Sequence, residues 1–123
     1  MSEQHKTILF VDDEPELIHG ATMWFRAAGY DMLQAGDGEQ GVNTALEQHP
    51  DAIVLDVRMP RKDGLTALLE LKERDETRDI PVVMLSASIV DQQAALDAGA
   101  RFFISKPYNG KELVDAVNVA MSA

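Results

Sequence analysis

The chain has 123 residues, 46% hydrophobic and 26% charged, with a formal net charge of −10. That is enough for one domain around one core, and the acidic balance offers nucleic acid no basic patch, the longest basic run being Arg61-Lys62. There is no cysteine, which excludes disulfides, zinc–thiolate sites and thiol catalysis, and no apolar stretch reaches membrane-spanning length.

Met1 to Lys6 is polar and expected to fray. Thr7 to Val11 is a continuous apolar strand that ends on Asp12-Asp13-Glu14, too short for the apolar core of a signal peptide. Pro15 suits the first turn of a helix, where its missing N–H is no loss. Leu17, Ile18, Ala21 and Phe25 keep helical spacing, with Trp24 half-buried beside them, and Gly29 stops the helix. Tyr30 to Ala35 is a second, more polar strand, as an edge strand would be. Asp37 and Gln40 resemble a helix N-terminal capping pair, and Val42, Ala45, Leu46 and His49 mark one face of the helix that follows.

After Pro50, the apolar run Ala52 to Leu55 reads as a buried strand ending on Asp56. Pro60 prevents regular structure from continuing. A carboxylate at the end of a buried strand is costly unless something there uses it. Arg61-Lys62-Asp63-Gly64 is turn-like, and Leu65, Leu68 and Leu69 carry the next helix inward. Ile80 to Leu85 is a fourth strand, entered through Pro81 and ending on Ser86. Ala94, Ala95 and Ala98 give a weak helix closed by Gly99. Arg101 to Ser105 is the fifth strand, ending on Lys106-Pro107. Asn109 and Glu112 form another capping pair, before the clean amphipathic helix of Leu113, Ala116, Val117, Ala120 and Met121.

A strand followed by a helix, five times over, predicts an α/β fold: a parallel sheet with helices on both faces. All strand carboxyl ends then share one edge, and the chain places Asp12-Asp13, Asp56, Ser86 and Lys106 there. If the strand order is 2-1-3-4-5, the first and third strands are neighbours at the switch point and the three aspartates converge. Three carboxylates do not sit together ionised without a cation, and an oxygen-only set favours Mg²⁺. A carboxylate beside Mg²⁺ can attack a phosphoryl group, with Lys106 and Ser86 supplying a positive charge and a hydroxyl for its oxygens.

The sequence resembles the receiver domain of two-component response regulators over essentially its whole length. The motifs are Val11-Asp12-Asp13-Glu14-Pro15, Asp56-Val57-Arg58-Met59-Pro60 with Asp63-Gly64, Ser86-Ala87, Ala98-Gly99-Ala100 and Lys106-Pro107. The resemblance implies a five-stranded flavodoxin-like sandwich of three layers, occupying 1–123, with no output domain in the chain. It implies that Asp56 accepts phosphate from a sensor histidine kinase or a histidine phosphotransfer protein. Asp13 would hold Mg²⁺ directly and Asp12 mostly through water, with Asp56 and the Arg58 backbone carbonyl completing the protein ligands. Lys106 would pair with the acyl phosphate. Ser86 would be the switch hydroxyl, where threonine is commoner, and Phe103 the switch aromatic, where tyrosine is commoner. A cis Lys106–Pro107 bond is also implied. Arg58 and Ser88 would border the path of the water that hydrolyses the acyl phosphate. The downstream protein would read helix four, strand five and helix five. A cytoplasmic location, without nucleic-acid contact or membrane insertion, goes with this reading.

The rivals fare worse. Gly36-Asp37-Gly38-Glu39-Gln40-Gly41 fits the dinucleotide-binding G-x-G-x-x-G pattern, but Asp37 and Glu39 would repel a pyrophosphate. An Mg²⁺-dependent phosphohydrolase with an aspartate nucleophile is the serious enzymatic alternative, yet its usual second acid falls at Arg58. His5, His19 and His49 show no metal-ligand spacing.

Overall fold

The computed structural model describes residues 5–122, so most of the segment expected to fray lies outside the described residues. The elements are β1 (Thr7–Val11), α1 (Pro15–Ala27), β2 (Asp31–Ala35), α2 (Gly38–Gln48), β3 (Ala52–Asp56), α3 (Gly64–Glu73), β4 (Val82–Ser86), α4 (Asp91–Asp97), β5 (Phe102–Ser105) and α5 (Gly110–Ser122). The strands form one parallel sheet in the order β2-β1-β3-β4-β5. The fold is thus the expected flavodoxin-like one, with the more polar β2 at an edge.

Side chains alternate between the two faces of a strand. Ile8, Phe10, Val54 and Leu85 therefore pack with Phe25 of α1 and Leu113 of α5. Leu9, Val11, Leu55 and Met84 join Val42 of α2 and Leu68 and Leu71 of α3 on the other face. β3 and β4 are buried along their whole length, which is why they read as unbroken apolar runs.

The capping pairs form: Asp37 accepts from the Gln40 N–H at 2.8 Å, and Asn109 accepts from the Glu112 N–H at 2.7 Å. Asp63 caps α3 in the same way, through the Thr66 N–H at 2.8 Å. The G-x-G-x-x-G segment is used up in packing. Gly38 lies against the Lys62 carbonyl with no space for a Cβ, Gly41 presses on Val11, and Asp37 pairs with Arg61 at 2.8 Å.

Two expectations fail locally. Leu69 points outward, 53% exposed, because the buried stripe of α3 runs through Ala67, Leu68 and Leu71 and one residue further turns away. His49 is exposed and leaves the apolar face of α2: it is the helix C-cap, in the left-handed region at φ 49. Trp24 is half-exposed, its indole lying over Gly110, where a side chain would collide with it.

Candidate functional site at the carboxyl edge of the sheet

Strand register builds the site. Val11 stands opposite Leu55, so Asp12, the next residue, comes level with Asp56. Asp56 stands opposite Leu85, which sets Ser86 one step beyond it. Ser86 stands opposite Ser105, and Lys106 follows. Gly64 then closes on the end of β3: its N–H donates to the Val57 carbonyl at 2.8 Å, and a Cβ there would run into the Asp56 backbone. Here glycine is required for close approach.

Asp12, Asp13 and Asp56 each bring a carboxylate oxygen within 4.8 Å of the others, and Asp12 and Asp56 are buried while Asp13 is exposed. The cation among them is Lys106, whose Nζ lies 3.2 Å from Asp56 Oδ2, 3.4 Å from Asp12 Oδ2 and 3.9 Å from Glu14 Oε1. Asp12 also accepts the Glu14 N–H at 2.9 Å.

This charge balance leaves the site acidic in excess. Burial, and then the negative charge of Asp12, push the Asp56 carboxyl up to about 6, against the pull of Lys106. Burial raises Asp12 as well, outweighing the Glu14 amide and Lys106. Burial alone would depress the Lys106 ammonium, but Asp56 and Asp12 prevail and raise it. Two buried acids lifted by burial, Asp56 further by the charge of Asp12, make a place where a divalent cation would relieve the charge. All the side-chain donors are hard oxygens, so the residues fit Mg²⁺. The three histidines are exposed and take no part in the cluster.

Ser86 is fully buried at the end of β4, but its hydroxyl is engaged elsewhere, donating to Asp91 Oδ2 at 2.6 Å. Arg58 also goes to Asp91: Nε donates to Oδ2 at 3.0 Å and Nη2 to Oδ1 at 3.1 Å. Sequence reasoning missed Asp91. An acid in the first turn of a helix was visible, but its partners depend on how the loop between β4 and α4 folds back. Tyr108 was also missed. It lies half-buried beside the cluster, and burial, then Asp12, raise its phenol. Phe103 is half-buried against the core face that carries α2 and α3, opposite Met84. The Lys106–Pro107 bond is cis, as the resemblance implies.

The comparisons with known proteins agree with this geometry. The response regulator receiver domain matches residues 8–118, and the chain belongs to that family. The DNA-binding dual master transcriptional regulator RpaA of Synechocystis is 36% identical over 116 residues, covering 93% of this chain and 48% of the relative. The transcriptional regulatory protein PrrA of Mycobacterium tuberculosis is 37% identical over 116 residues, covering 93% and 49%. The chain therefore spans about half the length of the curated relatives it matches. Among solved structures, the receiver domain of the sensor histidine kinase PA1611 from Pseudomonas aeruginosa superposes with a TM-score of 0.90 at 30% identity, covering 98% of this chain and 100% of that one. In that structure a magnesium ion is coordinated in the active-site cleft. The Francisella response regulator 1452 receiver domain gives 0.88 at 28% identity, covering 96% and 98%. No helix among the described residues is long and apolar enough to cross a membrane.

Proposed function

We propose that this receiver domain is a phosphorylation-dependent switch in which Asp56 accepts a phosphoryl group from a phosphohistidine donor, a sensor histidine kinase or a histidine phosphotransfer protein. The observation that carries the reading is the buried Asp56 carboxylate sharing Lys106 with Asp12, beside an Asp13 oxygen. Asp13, Asp12, Asp56 and the Arg58 carbonyl would hold Mg²⁺, which would supply the positive charge that an anionic donor needs beside three acids. A carboxylate oxygen of Asp56 attacks phosphorus, the phosphorus–imidazole bond breaks, and an acyl phosphate forms. Lys106 Nζ, 3.2 Å from the attacking group, is placed to pair with a phosphoryl oxygen. Ser86, turned from its present partner, donates to another.

Output runs through a protein surface formed by α4, β5 and α5, with Phe103 reporting the movement of Ser86. Exposed apolar residues at this face support it: Ile89 and Val90 before α4, Leu96 on α4 and Phe102 on β5. DNA binding is named for RpaA; with a net charge of −10, this domain works by protein contact, in the cytoplasm.

The domain acts on itself rather than turning over substrate, and that separates it from an Mg²⁺-dependent phosphohydrolase. Arg58, where such an enzyme would carry its second acid, is committed to Asp91. Incubation with acetyl phosphate and Mg²⁺ should load one phosphoryl group per chain, slowly lost. Continuous release of many phosphates per chain from unrelated phosphomonoesters would favour the hydrolase.

A further inference from the structure

A serine hydroxyl has one proton to donate. Ser86 gives its proton to Asp91, at 2.6 Å, while its oxygen accepts the Ser88 N–H at 3.0 Å. Asp91 is the first residue of α4 and does not cap it; the N-cap is Val90, without a side-chain cap. Its side chain is 10% exposed and is clamped from the other side by Arg58. One carboxylate thus ties together the loop after β3, the end of β4 and the start of α4. A hydroxyl bound to a carboxylate at this distance makes a short, charge-assisted bond. That bond must break before Ser86 can donate to a phosphoryl oxygen on Asp56.

We propose that Asp91 is the positioning residue of the switch: it latches the Ser86 hydroxyl in the unphosphorylated orientation and competes with the phosphoryl oxygen for its single proton. The inference rests on the phosphoacceptor reading and deepens it. It also explains how the signal travels. Ile89 and Val90, immediately before the latch, are 64% and 74% exposed, so loss of the Ser86–Asp91 bond loosens the loop that displays them from the end of β4. Arg58 keeps the acceptor oriented, which links the residue two beyond Asp56 to the switch.

The test uses the intact domain, with beryllofluoride and Mg²⁺ as the phosphoryl mimic. Binding is measured for wild type, Asp91→Ala, Asp91→Asn, Ser86→Ala and the double variant Ser86→Ala/Asp91→Ala. Removing a competitor raises the binding-competent fraction, so Asp91→Ala should tighten the mimic by on the order of tenfold. Asp91→Asn, which is isosteric and uncharged, should tighten it less, and it carries the comparison if Asp91→Ala does not fold. In the Ser86→Ala background, Asp91→Ala should change nothing, because the latch has nothing to hold. Unchanged or weaker binding in the Asp91 variants would overturn the latch, as would the same tightening with and without Ser86. Failure of wild type to bind the mimic, or equal binding by Asp56→Asn, would overturn the phosphoacceptor reading and the latch with it.

Discussion

Two carboxylate clusters lie side by side at the ends of β3 and β4, and their electrostatics are opposite. Around Asp56, two buried aspartates share one ammonium with the exposed Asp13 close by, and burial lifts both Asp56 and Asp12 above the ordinary carboxylate range. Around Asp91, a single carboxylate has a guanidinium on both oxygens and a hydroxyl on one; hydrogen bonds from Arg58 and then Ser86 hold it below that range. The first cluster has negative charge left over and can accept a cation with an anionic donor attached. The second is satisfied, and changes only by giving up a bond it already has. On the proposed reading, chemistry belongs to the under-neutralised site and control to the satisfied one beside it.

Offering both clusters a metal is the hardest test of that contrast. EDTA should abolish phosphorylation by acetyl phosphate. Calorimetric titration should show Asp13→Ala weakening Mg²⁺ binding roughly tenfold or more, as loss of a ligand does, while Asp91→Ala leaves it nearly unchanged. Comparable losses at the two positions would erase the distinction.

The leftover charge has a sign in stability. Asp56 titrates at about 6 in the folded chain against an ordinary 3.8, so between those values the folded state binds more protons than the unfolded state. Metal-free wild type therefore loses stability as pH rises through that window. Asp56→Asn should be more stable than wild type above about pH 6, by roughly 2–3 kcal/mol, with the gain fading below about pH 4. Urea unfolding with EDTA across this range reads the effect; a destabilised Asp56→Asn protein at pH 8 would show that the site is not over-charged.

Smaller effects sharpen the contrast. Gly64→Ala presses a methyl group onto the Asp56 backbone and should cost about 1–3 kcal/mol in the same unfolding measurement, as overpacking does. It should also slow phosphorylation, whereas an unperturbed rate would mean the end of β3 yields freely. Arg58→Ala should shorten the acyl-phosphate lifetime severalfold by opening the path of the hydrolytic water. A lifetime equal to or longer than wild type, followed by phosphate release, would remove that role from Arg58.

Much of the first cluster was legible in the sequence, and the second was not. Asp12, Asp56, Ser86 and Lys106 each stand at the end of a short run that reads as a strand, and parallel strands bring their carboxyl ends to one edge, so their meeting follows from strand order. The caps at Asp37 and Asn109 were legible because the bond is local, three residues along the chain. Asp91 is different. Its partners lie 5 and 33 residues away, through a turn that leaves no apolar period to read. Leu69 and His49 misled for a related reason. An apolar residue one step off the stripe of α3 and a left-handed C-cap on α2 look, in the sequence, like continuations of a face.

The central claim is that the under-neutralised cluster takes the phosphoryl group on Asp56. Its most direct test is to treat the domain with acetyl phosphate and Mg²⁺, reduce with borohydride, and locate the modified residue by peptide mass spectrometry. Acyl phosphate on an aspartate is converted to homoserine. The account predicts homoserine at position 56 alone, absent when EDTA is added first. Homoserine at Asp12 or Asp13, or an acid- and hydroxylamine-stable phosphate on Ser86, would contradict it.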